Sequence, residues 1–158
     1  MEIYLLRHGI AEEARPGQAD PSRRLTAEGR EKLARILACA RKAGVRPDVI
    51  LSSPYKRAME TAAMAQEALK AGHPILETDT LTPMRPPELA WEDVRLHREA
   101  AQVMAVGHEP HMSNFAEFLT GGRVEMKKGA IARVDVGSTG PRPDGVLVWL
   151  LTAKLAGG

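Results

Sequence analysis

Arg7 and His8 lie side by side where an apolar segment, residues 2–7, gives way to a polar loop. In open α/β sheets, ligands bind at the carboxyl ends of the strands, so side chains at this position can meet a ligand. The guanidinium of Arg7 disfavours protonation of the neighbouring imidazole, which biases His8 toward the neutral form with a nucleophilic lone pair. Arg7 also carries a planar fork of donors that fits phosphate oxygens. The pair therefore predicts phosphoryl transfer.

Two further apolar segments of the chain end in polar side chains of the same kinds. Ser52-Ser53-Pro54 follows one of them, with Arg57 in the next helical turn, and the other ends in Gly107-His108. If the strands are parallel, their ends share one edge of the sheet and bring together two arginines, two histidines and two helix N-termini. Helix N-termini favour anions through free N–H groups and the helix dipole. The set predicts a pocket for a phosphoryl group, which one of the histidines accepts.

Taken one at a time, these residues have more ordinary interpretations. Arg57 alone is typical of a solvated charge, His108 of a helix-capping histidine, and His8 of a hydrogen-bonded core residue. The coincidence of three polar motifs, each directly after an apolar segment, favours one site over three unrelated roles. His73 and His97 lack that context, and we interpret them as surface residues.

A metal site built from His8, His108 and His111 is the alternative use of these histidines. Pro110 lies between His108 and His111 and disfavours a regular helical pair of ligands, and the first two motifs contain no carboxylate. A phosphate-binding arginine beside the site would also oppose a cation. We therefore predict that the site holds no metal and no cofactor, so that activity resists chelators.

Length and composition limit the functions to consider. The 158 residues correspond to a single domain, residues 1–158, with 22 basic and 20 acidic side chains. A net charge of +2 without a block of like charge gives no basis for a nucleic acid or membrane partner. The single cysteine, Cys39, excludes an intrachain disulfide. The sequence shows no signal peptide and no apolar run of roughly 20 residues, so we expect a cytoplasmic protein.

Strand and helix patterns alternate along the chain and end in a hairpin. This order predicts an α/β fold: a three-layer α/β/α sandwich with a mostly parallel central sheet and a C-terminal antiparallel hairpin at one edge. We predict strands at residues 2–7, 49–51, 75–76 and 103–106, and hairpin strands at 131–136 and 146–151. We predict helices from the N-cap Thr26 to Gly44, from Pro54 to near Gly72, over about 88–99 with Leu89, Val94 and Leu96 as apolar residues, and from Pro110 to Gly121-Gly122.

The motif Leu6-Arg7-His8-Gly9 resembles the hallmark of the histidine phosphatase superfamily, an Arg-His-Gly triplet after the first strand. The similarity continues through residues 24–29, 52–62 and 106–110, in the expected order, and spans residues 3–120. The resemblance implies that His8 is the phosphorylated nucleophile. It also implies a phosphate or other oxyanion in a pocket formed by Arg7, Gly9, Arg57, Glu109 and His108, the last as an imidazolium.

Within the superfamily, the chain is most similar to the small SixA-type phosphohistidine phosphatases, which implies a phosphorylated protein as partner. Only residues 77–101 separate the third strand from the next, so no long insertion walls in a small substrate. Mutases and ester phosphatases of the family carry an acidic residue as general acid where this chain has Leu81-Thr82-Pro83. A departing imidazole, with a pKa of about 6.5, does not require such an acid, whereas an alkoxide does.

Several carboxylates remain as candidates for a general acid. Glu88 is the first of them because it follows the flexible Pro86-Pro87, and Glu92, Asp93 and Glu109 are the others. The ordinary interpretation of Glu88 is a first-turn residue that interacts favourably with its own helix dipole. Three other functions stay open: a phosphomonoesterase of small metabolites with Glu88 or Glu109 as acid, a mutase, and a non-catalytic module that binds phosphohistidine.

Overall fold

One mixed sheet organises the part of the chain that the structure describes. The structure is a computed structural model of residues 1–157; Gly158, the last residue of the predicted domain, lies outside them. The strands are β1 (Glu2–Arg7), β2 (Val49–Ser52), β3 (Leu76–Glu77), β4 (Gln102–Gly107), β5 (Ile131–Val136) and β6 (Gly145–Leu151). The helices are α1 (Ala27–Lys42), α2 (Lys56–Ala68), α3 (Pro87–Arg95) and α4 (His111–Thr120), with single 3₁₀ turns at Asp20–Ser22 and Asp79–Leu81. None of these helices is long and apolar enough to span a membrane.

The strand order places the three polar motifs at one edge of the sheet. The order is β3-β2-β4-β1-β5-β6; the first four of these strands pair in parallel, and β5 and β6 are antiparallel to their neighbours. The register aligns Arg7 with Gly107 and Ser52 with Val106, so β1, β2 and β4 end at the same level. The predicted fold class is therefore confirmed, with the hairpin at one edge.

Alternating side chains of the sheet pack against helices on both of its faces. Ile3 and Leu5 of β1 belong to the core under α3 and α4, whereas Tyr4 and Leu6 belong to the core under α1 and α2. The helices close these cores because they present apolar residues at helical spacing. The buried apolar residues are Leu33, Ile36, Leu37 and Ala40 in α1 and Ala58, Ala62 and Ala65 in α2.

The segment that follows His8 packs directly on the start of α1. The Thr26 hydroxyl accepts a hydrogen bond from the Gly29 N–H at 3.0 Å, which confirms the predicted N-cap. A Cβ on Gly29 would lie 2.2 Å from the carbonyl oxygen of Ile10, so only glycine allows this approach. The Thr26 N–H in turn donates to that carbonyl at 2.9 Å. These contacts fix where the polar loop of residues 10–25 leaves the sheet edge.

Two prolines that the sequence predicts to open helices lie just before them instead. α2 begins two residues after Pro54, because Tyr55 has an extended backbone and donates its N–H to the Ser53 hydroxyl at 3.2 Å. α4 begins at His111, with Pro110 as its N-cap. Pro54 and Tyr55 therefore separate Ser53, which is bonded to the end of β4, from the first residue of α2.

α3 is shorter than predicted and, of its three predicted apolar residues, buries Val94 but neither Leu89 nor Leu96. Leu89 and Leu96, predicted as apolar contacts, are 42% and 76% exposed, whereas Trp91 and Val94 are fully buried. The indole N–H of Trp91 donates to the Gly140 carbonyl at 3.1 Å. This large side chain therefore sets which face of the helix turns inward.

Candidate active site

Main-chain hydrogen bonds hold the strand ends together at the candidate site. The N–H of His8 donates to the Gly107 carbonyl at 2.9 Å, and the N–H of Ser53 donates to the Val106 carbonyl at 3.0 Å. These bonds extend the sheet ladder one residue beyond β1 and β2. The residues that follow the strands, His108 among them, therefore leave the sheet at one place, as expected for parallel strands.

Two hydrogen bonds hold the imidazole of His8 in a single tautomer. The Nε–H of Arg57 donates to His8 Nε2 at 3.3 Å. Because a guanidinium is always protonated and only donates, Nε2 carries the lone pair. The proton of the neutral ring is then on Nδ1, which donates to the Gly9 carbonyl at 2.7 Å. Since His8 is only 7% exposed, this lone pair lies in a largely dehydrated position.

Burial and neighbouring arginines keep His8 neutral. The pKa of His8 falls to about 4, mainly because burial disfavours the charged ring. The hydrogen bond to the Gly9 carbonyl opposes this shift, and the guanidinium groups of Arg57, Arg7 and Arg23 add to it. The presence of Arg7 predicts the direction of the shift, but burial is the larger cause. At neutral pH the ring is therefore a free base.

Arg57 is buried in the first turn of α2 and donates from all three of its nitrogens. Besides the Nε bond to His8, Nη1 donates to the main-chain carbonyl of Asp20 at 2.9 Å and Nη2 to the Asp20 carboxylate at 3.1 Å. The guanidinium carbon lies 5.2 Å from the centre of the Tyr55 ring, a cation–π contact. The Thr61 hydroxyl donates to the main-chain carbonyl of Arg57 at 2.7 Å. These contacts fix the guanidinium beside the nucleophile.

Asp20 belongs to this cluster although it lies in the polar loop of residues 10–25, where the sequence predicts no site residue. Its Oδ1 accepts from the Nε of Arg23 at 2.9 Å, while its Oδ2 accepts from Arg57. The side chain is 52% exposed, so it lies at the mouth of the site. Partial burial alone would raise the pKa of Asp20, but hydrogen bonds from the two arginines outweigh this and lower it. The carboxylate is therefore ionised at neutral pH.

His108 lies next to His8 and is anchored by Ser53. The His108 Nε2 is 2.8 Å from the Ser53 hydroxyl oxygen, and the centres of the two imidazole rings are 5.1 Å apart. The Ser53 hydroxyl accepts from the Tyr55 N–H, so its own proton is available to His108 Nε2. The other nitrogen, Nδ1, is buried and has no hydrogen-bond partner within residues 1–157. When the Ser53 hydroxyl donates to Nε2, the neutral ring carries its proton on Nδ1, which is then a donor for an anion.

The free protein favours a neutral His108, whereas the predicted imidazolium is that of the state with a phosphoryl group bound. Burial lowers the pKa of His108 to about 2, with further lowering by His8 and Arg57 and an opposing effect of Asp20. A third cation is disfavoured in a dehydrated site that already contains two arginines. In the free protein His108 therefore carries no positive charge at neutral pH.

Arg7, at the end of β1, is held by the segment that precedes β5. Its Nη1 donates to the Met126 carbonyl at 2.9 Å. Its Nε is buried and has no hydrogen-bond partner among the described residues. Arg7 is close enough to His8 to lower the pKa of that ring. Arg7 thus lies near His8, while its hydrogen bond goes to Met126.

Gly9 and Glu109, both predicted to bind phosphate, have hydrogen-bond partners within the protein. The Gly9 N–H donates to the Thr61 hydroxyl at 3.2 Å, and the Gly9 carbonyl accepts from His8, so both polar groups orient the nucleophile. The Glu109 carboxylate accepts from the N–H of Ser113 at 2.9 Å and from its hydroxyl at 2.6 Å. It caps the start of α4.

The carboxylates of α3 are exposed or bonded to residues outside the cluster of His8, Arg57 and His108. Glu88, the predicted candidate for a general acid, is exposed in the first turn of the helix. Glu92 is paired with Arg95 at 2.7 Å, and Asp93 accepts from the hydroxyls of Thr78 and Thr80. Within residues 1–157, the carboxylate in hydrogen-bond contact with Arg57 is that of Asp20 rather than one from α3.

The histidines of the alternative metal site do not form a common set of ligands. Among the described residues, no group of three or more His, Cys, Asp or Glu side chains is arranged to hold a metal ion. His111 is buried and packs beside Phe115, with ring centres 6.1 Å apart. Nδ1 of His8 is already used by the Gly9 carbonyl.

This geometry agrees with a comparison against known protein families. The sequence model of the histidine phosphatase superfamily (branch 1) matches residues 3–89, more than half of the chain. The chain belongs to the histidine phosphatase superfamily. An uncharacterised protein from Picosynechococcus sp. strain PCC 7002 is 31% identical over 137 residues, which is 83% of this chain and 82% of that protein.

Solved structures of histidine phosphatases have the same fold as this chain. The protein histidine phosphatase SixA, in complex with tungstate, matches with a TM-score of 0.88 and 22% identity over 98% of both chains. A protein from Agrobacterium tumefaciens assigned as a phosphohistidine phosphatase SixA has a TM-score of 0.81 and 26% identity over 96% of this chain and 97% of that one. The alpha-ribazole phosphatase from Shigella flexneri has a TM-score of 0.71 and 19% identity over 97% of both. The predicted family and its SixA-like fold are thus confirmed.

Proposed function

We propose that this protein is a phosphatase that removes the phosphoryl group from a phosphohistidine of another protein. One observation carries the proposal: the lone pair of His8 Nε2 faces the Nε–H of Arg57 at 3.3 Å, in a buried cluster that includes His108. A nucleophilic nitrogen and an anion-binding guanidinium thus meet at one point. Membership of the superfamily and the likeness to SixA support the same class of reaction.

In the first step, the hydrogen bond from Arg57 Nε–H to His8 Nε2 gives way, and Nε2 attacks the phosphorus in line with the leaving imidazole. The new N–P bond forms as the N–P bond to the substrate ring breaks, and the bonding electrons stay on that ring, which carries a proton on its other nitrogen and so leaves as a neutral imidazole. Arg7 and Arg57 hold the equatorial oxygens, and the Nδ1–H of His108 donates another hydrogen bond. The Gly9 carbonyl, bonded to His8 Nδ1–H, stabilises the positive charge that develops on the attacking ring.

In the second step, water attacks the phosphorus of phospho-His8. The histidine leaves with its lone pair restored, and inorganic phosphate is released. Neither step requires a redox group, because catalysis consists of positioning and charge stabilisation by fixed donors. A tungstate ion is a phosphate-like oxyanion, so its presence in the SixA complex supports an oxyanion in this pocket.

The leaving group favours phosphohistidine over a phosphoester. An alkoxide needs a proton from the enzyme, and the carboxylates of α3 are exposed or bonded to other residues. A neutral imidazole needs no such donor. The arginines supply the positive charge that a metal ion would otherwise contribute, so we propose that the reaction is metal-independent.

A side-by-side assay tests this function. A phosphohistidine peptide, a phosphoserine peptide and a sugar phosphate are compared by kcat/KM, with and without a chelator. We expect the phosphohistidine peptide to be preferred by at least about 100-fold, the lower range for general acid catalysis that an ester would lack here. We expect no effect of the chelator. His73→Ala, which changes an exposed histidine, is the control for variants of His8.

Each other result identifies a different function. Preference for the sugar phosphate would indicate a phosphomonoesterase of small metabolites. Tight binding of the phosphohistidine peptide without turnover would indicate a binding module. Loss of activity with chelator and recovery with added zinc would contradict metal independence.

A further inference from the structure

We propose that Asp20 selects a phosphorylated imidazole over a phosphoester, by accepting a hydrogen bond from the distal N–H of the leaving ring. The inference rests on the proposed function, since it assigns a role to this carboxylate in phosphohistidine cleavage. It explains why an acidic side chain lies against a phosphate-binding arginine, where it would otherwise only repel substrate.

Asp20 and His8 contact different nitrogens of the same guanidinium. Arg57 donates from Nε to His8 Nε2 at 3.3 Å and from Nη2 to Asp20 Oδ2 at 3.1 Å. The nucleophile lies at the buried end of this arrangement, with 7% of His8 exposed. The carboxylate lies at the solvent end, with 52% of the Asp20 side chain exposed.

In-line displacement requires the leaving group to depart opposite the nucleophile. A phosphoryl group bound to Arg57 and attacked by His8 from the buried side therefore places its leaving group toward the solvent side. Asp20 contacts Arg57 and its side chain is 52% exposed, so we place its carboxylate on that solvent side. The geometry thus points to contact between the Asp20 carboxylate and the substrate ring.

The two oxygens of the Asp20 carboxylate have separate partners. Oδ1 accepts from Arg23 at 2.9 Å, and the main-chain carbonyl of Asp20 accepts from Arg57 Nη1 at 2.9 Å. These two bonds do not involve Oδ2, so they can hold the residue in place while Oδ2 exchanges Arg57 for the substrate. Arg57 Nη2 is then free to bind a phosphoryl oxygen.

Asp20 acts in this role as an acceptor and not as a proton donor. The charged and titratable groups that face it are Arg23 on its own loop, Arg57 on α2, and His108 after β4. Partial burial alone would raise the pKa of Asp20, but the hydrogen bonds from the two arginines lower it. A carboxylate that stays ionised stabilises a proton on a neighbouring imidazole.

The proton balance of the step follows from this contact. The substrate ring binds with a proton on its distal nitrogen, hydrogen-bonded to Oδ2 of Asp20, so the ring is a cation while its other nitrogen holds phosphorus. As His8 Nε2 bonds to phosphorus, the electrons of the breaking N–P bond return to the ring, which leaves as neutral imidazole. A phosphoester instead develops negative charge on its leaving oxygen, which the carboxylate destabilises.

Asp20→Asn tests the proposal with two substrates, a phosphohistidine peptide and p-nitrophenyl phosphate, whose phenolate leaves without a proton. We expect kcat/KM for the peptide to fall at least about tenfold, while kcat/KM for the ester rises or stays within about twofold. We expect the alkaline limb of the peptide reaction to move to lower pH, because the ring is no longer held protonated. Asp144→Asn, which removes an exposed carboxylate in the hairpin turn, should change neither substrate.

Folding and binding are checked by titration with tungstate, which the variant should bind at least as tightly as the parent protein does. Equal losses for both substrates, equal gains for both, or an unmoved alkaline limb would overturn the role of Asp20. These results are distinct from failure of the proposed function, in which the unmodified protein itself does not cleave the phosphohistidine peptide.

Discussion

The Nε–H of Arg57 donates to Nε2 of His8 at 3.3 Å and links residues 49 positions apart in the chain. This contact sets the tautomer of the histidine, because a guanidinium donor requires a lone pair on the nitrogen it meets. The same guanidinium then faces any phosphoryl group that approaches this lone pair. One hydrogen bond therefore orients the proposed nucleophile and marks where its target binds.

Two replacements of Arg57 distinguish the effect of its positive charge from the effect of its planar set of donors. For Arg57→Gln we expect a loss in kcat/KM on the order of 10²–10³, as for removal of one oxyanion donor. Arg57→Lys should recover little of this loss, because a lysine ammonium lacks the planar set of donors that meets His8 and the phosphoryl group together. Steady-state kinetics with the phosphohistidine peptide measures both variants, with the exposed Arg98→Gln as control. Parental rates in Arg57→Lys would show that charge alone suffices.

Removing the Ser53 hydroxyl should weaken catalysis through His108. The hydroxyl is 2.8 Å from His108 Nε2, so Ser53→Ala leaves that ring without its anchor and free to take the other tautomer. We expect kcat to fall about tenfold, below the effect of losing a whole donor. Thermal unfolding should stay close to that of Ser138→Ala, a control at an exposed serine. An unchanged kcat in Ser53→Ala would show that Ser53 does not contribute to catalysis.

The buried histidines predict a loss of stability in mild acid. Burial lowers the pKa of His8 to about 4 and of His108 to about 2, and it also lowers the pKa of His111. In the unfolded chain these rings take up protons below about pH 6.5, whereas the folded protein leaves them neutral. Proton uptake by the unfolded chain therefore does not lower the free energy of unfolding above about pH 6.5. Below that pH, the free energy of unfolding declines as the pH falls toward the folded-state pKa values.

Urea unfolding between pH 7.5 and 5 measures this effect, above the range in which most carboxylates titrate. The free energy of unfolding should fall, with each histidine contributing up to about 1.4 kcal/mol per pH unit below its unfolded pKa. His108→Asn should reduce the slope, and His73→Ala, at an exposed site, should leave it unchanged. A free energy of unfolding that does not change over this pH range would show that the buried histidine rings are not held neutral.

Much of the fold could be predicted because its signals are local. Buried strands form short apolar runs, so β1 and β5 have the predicted bounds. The Thr26 cap is visible as a hydroxyl residue directly before a helical pattern. The convergence of the strand ends follows from parallel pairing, which alternating strands and helices favour. The cluster of His8, Arg57 and His108 is therefore anticipated by the sequence.

The features that the sequence did not predict depend on tertiary contacts. Asp20 meets Arg57 across 37 positions, and no periodicity or motif in its loop marks that pairing. The inward face of α3 is set by Trp91, which reaches the Gly140 carbonyl, and this leaves Leu96 exposed. Glu109 is an exception, because its carboxylate bonds to a serine four residues on, a local capping pattern that sequence alone could reveal.

Site mapping of the phosphorylated protein tests the central claim most directly. The protein is mixed with a radiolabelled phosphohistidine peptide, quenched in alkali within one turnover, digested and sequenced by mass spectrometry. We predict label on His8 that survives alkali and is lost in acid, present in His73→Ala and absent from His8→Ala. Label on any other residue, or a normal burst of dephosphorylated peptide from His8→Ala, would contradict the mechanism.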